Sequence, residues 1–142
     1  IVGDGDERPW LEKQLSKAEF TGEIRGEAVA EAFANMDLFV FPSLTDAFAN
    51  VVLEAMSSGV PPIAFPVGGP KFLIEDNKSG LIANTEDELA VKVAEVIRAR
   101  NVLQPMRIEA RQFAIEHSWN EIFKKTYGYY DLCASYNKKV RA

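Results

Sequence analysis

The chain has 142 residues, which is enough for one domain and too few for two domains with independent cores. Its hydrophobic share of 47% and charged share of 26% are those of a globular protein, and no apolar run approaches the roughly 18 residues of a membrane-spanning helix. The net charge of −5 argues against nucleic acid as a partner, because phosphate backbones require clustered Lys and Arg. The single cysteine, Cys133, cannot form an internal disulfide and favours a reducing, cytoplasmic compartment.

Predicted strands and helices alternate along the chain. The predicted helices cover, in chain order, residues 8–16, 27–35, 50–58, 71–75, 85–100, 104–116 and 118–136. The predicted strands cover residues 1–2, 18–21, 38–41, 62–65 and 80–83, and the apolar run at 38–41 is expected to be buried on both faces. This alternation predicts an α/β fold with a parallel sheet and right-handed crossovers.

Local signals mark where several of these elements begin and end. Gly59 follows the helix at 50–58 in the position that favours left-handed backbone, and Thr85 with Glu88 forms a capping box for the next long helix. The first residues are typical of the end of a strand followed by a Gly-Asp-Gly turn, and there is no initiator Met. We therefore expect the chain to be a piece of a longer protein.

Turns that contain glycine follow most of the predicted strands. In open parallel sheets, ligands bind at the edge formed by the carboxyl ends of the strands. Glycine in such a turn lets the backbone approach a ligand or adopt positive φ, although a single glycine merely ends a strand. Four turns on one edge favour a binding edge, and these turns are residues 3–5, Gly22, 42–49 and Gly68-Gly69.

The segment 42–56 is the strongest candidate for a functional site. Its helix is apolar almost all round, which predicts a buried helix with Glu54 in the middle of the apolar run. Asp46 precedes the helix by about one turn, and free amides at residues 48–51, together with the helix dipole, predict an anion site. Two carboxylates beside an anion site suit a ligand with both phosphates and hydroxyl groups.

A structural interpretation stays open for each carboxylate. Asp46 would then be a plain helix cap, and Glu54 would pair with a lysine or a backbone amide, because a buried carboxylate needs donors. Buried carboxylates point to function only statistically. The physical pattern alone does not decide between these interpretations.

The same residues resemble a known family. The run from Asp46 to Glu54 is similar to the E-x7-E signature of retaining GT-B glycosyltransferases, and the closest group is the family-four glycosyltransferases, also called glycosyl transferase group 1. The resemblance implies a Rossmann-like parallel sheet flanked by helices, as the C-terminal, donor-binding domain of a GT-B fold over residues 1–142. It also covers Ile1-Val2-Gly3-Asp4-Gly5, Phe20-Thr21-Gly22, Met36-Asp37-Leu38-Phe39-Val40, Val67-Gly68-Gly69-Pro70, Ser79-Gly80-Leu81-Ile82 and His117-Ser118-Trp119.

The resemblance implies a role for each residue of a donor site. Glu54 would bind the ribose hydroxyls of a UDP-, GDP- or ADP-sugar, and Asp46 would contact hydroxyls of the donor sugar, so these two are the candidate catalytic residues. The loop at Gly22 would lie by the base, with the main chain of Ile24 as a contact. The diphosphate and the sugar would be held by the backbone amides of Phe48, Ala49, Asn50 and Val51. Neither a cofactor nor a metal is implied, because the helix dipole and basic side chains would stabilise the leaving diphosphate.

The sequence also departs from the family pattern. Asp46 replaces the usual glutamate with a side chain one methylene shorter, and Ala47 and Ala49 stand where glycines are common. The upstream Gly-Arg and Lys that neutralise the diphosphate, and the N-terminal acceptor-binding domain, are outside this chain. We therefore expect the isolated piece to be inactive.

These observations predict a retaining, hexosyltransferase-type enzyme as the full-length protein. It would transfer a sugar from a nucleoside diphosphate to a glycan, lipid or small-molecule acceptor. Two alternatives stay open, a nucleotide-sugar epimerase of the same architecture and a non-catalytic nucleotide-sugar-binding module. Full-length protein would separate them by the product that forms.

Several other residues are given no role in binding. His117, the single histidine, is expected to cap or pack rather than catalyse. Cys133 and the tyrosines around it are expected to pack against other parts of the fold. Lys71 is expected to be a solvated surface lysine. The basic residues at 138–141 are compatible with a peripheral contact to an anionic membrane face, and more simply with a solvated end.

Overall fold

A computed structural model describes residues 1–140, and the side chains of residues 1–136. The backbone contacts divide the chain into two compact units, Ile1–Met36 and a larger unit that starts at Asp37. Within the described residues, the smaller unit contains two α-helices, and the larger unit contains three strands and five α-helices.

The smaller unit is built around two short helices close to the predicted ranges. α1 spans Arg8–Gln14 and α2 spans Glu27–Ala34. The Arg8 guanidinium forms ion pairs with Asp4 at 3.0 Å and with Glu12 at 2.8 Å, so it ties the turn before α1 to the helix itself.

The two strands predicted in this unit are wrong. The backbone of Gly22 makes isolated bridges to Val2 and Gly3, and the Gly3 amide donates to the Gly22 carbonyl at 2.9 Å, but no ladder forms. Both glycines have positive φ, 118° at Gly3 and 70° at Gly22, and this conformation does not continue a strand. Ile1 also makes backbone hydrogen bonds to Glu19 and Thr21, of 2.6 and 3.1 Å, but neither segment forms a strand.

The larger unit contains a parallel sheet of three short strands. β1 spans Phe39–Phe41, β2 spans Pro62–Ala64 and β3 spans Leu81–Ile82, in the spatial order β1-β2-β3. The prediction that the run at 38–41 is buried on both faces is wrong, since the Val40 side chain is 41% exposed. β1 is an edge strand of this sheet, whereas β2 lies in the middle and is fully buried.

Helices cover both faces of β2. These helices are α3 (Asn50–Ser57), α4 (Pro70–Leu73), α5 (Glu86–Arg98) and α6 (Leu103–Glu116), with a 3₁₀ turn between α5 and α6. Ala64 packs in one core cluster with Val52 and Met56 of α3, while Ile63 packs in the other with Val96 of α5. Neighbouring strand residues point to opposite faces, so the sheet is flanked by helices as the α/β prediction requires.

Two helix ends follow the local rules that predicted them. α3 is followed by Gly59 at φ +69°, whose amide donates to the Met56 carbonyl at 2.9 Å. α5 begins after Thr85, whose hydroxyl accepts from the Glu88 amide at 3.1 Å. Both predicted ends are confirmed.

The last helix, α7 (Trp119–Val140), is mostly exposed within this chain. The prediction that Cys133 is packed is wrong, because its thiol is exposed, and Tyr127, Tyr130 and Tyr136 are each more than 60% exposed. Trp119, Phe123 and Tyr127 contact one another along the helix, with ring centroids 5.7 and 6.4 Å apart. No helix in residues 1–140 is both long and apolar enough to cross a bilayer.

Candidate functional site

The loop between β1 and α3 is closed by one of its own side chains. The Asp46 Oδ1 atom accepts hydrogen bonds from the Phe48 amide at 3.1 Å and the Ala49 amide at 2.5 Å. The prediction that these two amides are free is therefore wrong, and the interpretation of Asp46 as a helix cap is the one that the structure shows. An aspartate reaches its own downstream amides easily because its side chain is short.

Ala49 holds an unusual backbone conformation at the start of α3. Its φ of 59° and ψ of 55° are left-handed, and the residue is only 1% exposed. An L-residue in this region costs roughly 1–2 kcal/mol relative to right-handed backbone, and only glycine avoids that cost. The strained residue lies between the Asp46 cap and the first turn of α3.

The glycine pair at Gly68 and Gly69 supports this loop from the side. A Cβ atom at Gly68 would overlap the Asp46 carbonyl oxygen, and one at Gly69 would overlap the Phe48 carbonyl oxygen. Here the glycines permit close approach to protein backbone, and Gly68 also adopts the positive φ, 58°, that was predicted as the alternative to close approach to a ligand. The backbone of residues 46–48 therefore cannot move toward this pair.

Glu54 is exposed, and the prediction of a buried carboxylate is wrong. Val52, Ala55 and Met56 fill the buried side of α3 with 0% exposure, and Glu54 lies on the opposite side of the helix. No hydrogen bond or ion pair to its carboxylate is found among the side chains described for residues 1–136. The carboxylate is available to a ligand without the cost of burial that the sequence suggested.

A cavity of about 620 Å³ lies along this exposed side of α3. One wall consists of Phe48, Asn50, Leu53, Glu54 and Ser57, so three of the predicted donor-binding residues share it. The opposite wall comes from the end of α6 and the start of α7, and it consists of Arg111, Ala114, Ile115, His117, Ser118, Trp119 and Ile122.

Sequence reasoning missed the opposite wall. His117 has its Nδ1 atom 2.8 Å from the Phe113 carbonyl oxygen and stacks on the Phe113 ring at 4.0 Å, which fits the predicted packing role although the residue borders the cavity. Arg111 donates to the Ser57 carbonyl at the end of α3. Only the His117-Ser118-Trp119 motif signalled this region, and a motif in sequence does not show which helix it will face.

The first turn of α3 leaves amides unused. In the described part of the chain, the amides of Asn50 and Val51 have no hydrogen-bond partner, and the Val52 amide donates to the Ala49 carbonyl at 2.9 Å. Free amides at a helix start carry the positive end of the helix dipole, where an anion is favoured. Of the four predicted phosphate-binding amides, two are open and two are held by Asp46.

The remaining predicted residues, Gly22 and Ile24, lie in the smaller unit. Gly22 is buried and Ile24 is half-buried. Within residues 1–136, no group of three or more His, Cys, Asp and Glu side chains is placed to hold a metal ion.

The parallel sheet and its flanking helices define a Rossmann-like domain, and its structural neighbours are GT-B glycosyltransferases. Sucrose-phosphate synthase from Thermosynechococcus elongatus superposes with a TM-score of 0.78 at 25% identity, over 92% of this chain and 35% of that one. Anabaena HepE in complex with UDP and glucose superposes with a TM-score of 0.74 at 22% identity, over 94% of this chain and 39% of that one.

The chain belongs to the glycosyl transferases group 1 family, whose model matches residues 1–99. A GDP-mannose-dependent alpha-mannosyltransferase from Mycolicibacterium smegmatis is 39% identical over 134 residues, which cover 92% of this chain. The matched region is 35% of that relative, so the chain spans about a third of its length.

Proposed function

We propose that this chain binds the nucleoside-diphosphate sugar donor of a glycosyltransferase, and that the whole protein transfers a hexose to an acceptor with retention of configuration. The observation that carries this proposal is the Glu54 carboxylate, which is exposed and without a protein partner on the wall of a cavity beside the open start of α3. An acidic group for hydroxyls and free amides for phosphate thus occur on one helix.

The diphosphate would bind at the first turn of α3. The Asn50 and Val51 amides are open, and the helix dipole adds a positive field. Interactions that are already in place when charge develops on the leaving diphosphate stabilise the transition state, because nothing has to reorganise during the reaction. In this proposal the amides and basic side chains take that role, and no metal is needed.

The two carboxylates would hold the hydroxyl groups at the ends of the donor. Glu54 would accept hydrogen bonds from the ribose, because a carboxylate has two oxygens for two neighbouring hydroxyls. The Asp46 Oδ2 atom, which makes no hydrogen bond among the described side chains, would accept from the transferred sugar.

We propose GDP-mannose as the donor, because the mannosyltransferase that is 39% identical to this chain is named for it. The family resemblance assigns the base to the loop at Gly22 and Ile24. The acceptor domain would be supplied by the part of the protein outside this chain.

A cytoplasmic location with a peripheral membrane contact is also proposed. Residues 138–141, on which that contact depends, lie outside the described side chains.

Isothermal titration calorimetry of GDP, UDP and ADP tests the donor site on this chain. We expect GDP to bind most tightly, and Glu54→Gln to weaken it by roughly tenfold or more, because hydrogen bonds to charged groups are among the stronger ones. Glu95→Gln is the matched control, since Glu95 is an exposed carboxylate on α5 away from the cavity. Equal affinity in the parent and Glu54→Gln would remove Glu54 from the site.

The reaction is tested with the full-length protein, labelled GDP-mannose and an added acceptor. NMR of the product should show the anomeric configuration of the donor. An isomerised free nucleotide sugar would identify an epimerase, and binding without turnover would identify a non-catalytic module.

A further inference from the structure

Asp46 holds the Phe48 and Ala49 amides, which are two of the four amides that the family resemblance assigns to the diphosphate and the sugar of the donor. Its Oδ1 atom lies 3.1 Å from the Phe48 nitrogen and 2.5 Å from the Ala49 nitrogen. A carboxylate oxygen that accepts from two consecutive amides is chemically close to a phosphate oxygen held by the same amides. We propose that Asp46 is an internal competitor of the donor diphosphate and thereby sets the affinity of the site for anions; this inference rests on the donor site proposed above.

The Ala49 amide needs a hydrogen-bond acceptor because Ala49 is buried. The residue is 1% exposed, so water has little access to its amide, and a buried amide without a partner costs about as much as a lost hydrogen bond. Asp46 satisfies the Ala49 amide. A ligand that replaces it must offer an acceptor of similar strength, which a phosphate is and a neutral hydroxyl is not.

In this proposal the exchange uses a movement of the Asp46 side chain. The carbonyl oxygens of Asp46 and Phe48 pack against Gly68 and Gly69 too closely for any added side-chain atom, so the loop backbone is blocked on that side. Rotation of the Asp46 side chain about χ1 would release both amides together and leave the backbone in place. The freed carboxylate would then be close to the sugar that it is proposed to contact.

Calorimetry with GDP tests the competition directly. Asp46→Asn and Asp46→Ser remove the charge and keep a neutral cap, which compete less well because a neutral acceptor is weaker. We expect GDP and inorganic pyrophosphate to bind roughly tenfold more tightly to both variants, and guanosine, which lacks phosphate, to bind unchanged. NMR should show the Phe48 and Ala49 amide signals shifting when GDP is added.

The control variant is Thr85→Ala, which removes a cap from α5, and its GDP affinity should equal that of the parent. A purely structural Asp46 predicts unchanged or weaker GDP binding in the Asn and Ser variants, and this result would overturn the inference. Tighter binding of guanosine would also overturn it, because the effect would then be a general loosening of the cavity. If the parent binds GDP through Glu54 but the Asp46 variants bind it no more tightly, only the inference about Asp46 is overturned. If neither the parent nor any variant binds GDP, the proposed donor site is overturned as well.

Discussion

Two helices of the larger unit, α3 and α5, have their N-terminal amides capped in different ways. At α5, Thr85 has extended backbone with φ −139° and ψ 162°, and its hydroxyl accepts from the Glu88 amide. At α3, the residue before the helix is the left-handed Ala49, and the cap comes from Asp46 three residues earlier. The α5 start is an unstrained cap, whereas the α3 start combines strain, two open amides and an adjoining cavity.

The residue before α5 has the extended backbone that is usual before a helix, whereas the residue before α3 is left-handed and strained. Strain of this kind persists only where the surrounding structure enforces it, and such places tend to be functional. Here the enforcement is visible in the Gly68-Gly69 pair, which packs against the backbone of the strained loop. The α5 start has no such support and needs none.

The largest effect is expected from Gly69→Ala. The added Cβ would overlap the Phe48 carbonyl oxygen, and backbone cannot retreat as a flexible side chain would. We expect the free energy of unfolding to fall by about 3 kcal/mol or more, measured by urea denaturation. Gly128→Ala on α7, where a Cβ meets nothing within 4 Å, is the control and should be neutral or raise stability by up to about 1 kcal/mol. Equal effects at the two glycines would contradict the close packing at Gly69.

An effect of intermediate size is expected when two buried alanines, Ala55 and Ala49, are compared by their replacement with glycine. Ala55→Gly in the middle of α3 should lower the free energy of unfolding by roughly 2 kcal/mol, through lost helix propensity and a lost buried methyl group. Ala49→Gly loses a similar methyl group but relieves left-handed strain, so it should stay within about 0.5 kcal/mol of the parent. Equal losses in the two variants would show that Ala49 is not strained.

The smallest effect concerns the ordinary cap at α5 and its pH dependence. The pKa of Glu88 is lowered from 4.5 to about 2, mainly because the Asn84 backbone amide donates to its carboxylate and also because Lys92 lies 3.0 Å away. A depressed pKa stabilises the fold above the unfolded value, so this contribution is complete above pH 4.5 and disappears as the pH falls toward 2.

Thermal denaturation at several pH values measures this contribution. The difference in melting temperature between the parent and Glu88→Gln should be largest near neutral pH and shrink below pH 4.5. Thr85→Ala should cost about 1 kcal/mol at every pH, because no titrating group is removed. A Glu88→Gln difference that stays constant with pH would contradict the lowered pKa.

The sequence predicted features that depend on neighbours along the chain. Gly59 after α3 and the Thr85 cap were found because each involves residues at most five positions apart. The exposure of Glu54 was missed because α3 looked apolar all round, and only its packing against β2 and α6 selects the buried side.

The Asp46 cap was one of the interpretations left open from the sequence, because it joins residues only two and three positions apart. The left-handed backbone of Ala49 was missed, because the loop before it packs against Gly68 and Gly69, about 20 residues further along the chain. The family resemblance implied that these amides bind the donor, whereas the structure shows two of the four held by Asp46.

Trp119 lines the cavity and can serve as an intrinsic fluorescence probe of ligand binding. The chain has two tryptophans, Trp10 in the smaller unit and Trp119 on the cavity wall opposite Glu54, where its side chain is 70% exposed. In a Trp10→Phe variant of this chain, all indole fluorescence would come from Trp119 on the cavity wall. Emission from that single ring would then follow the filling of the cavity in real time, without a label and at protein concentrations far below those that calorimetry needs.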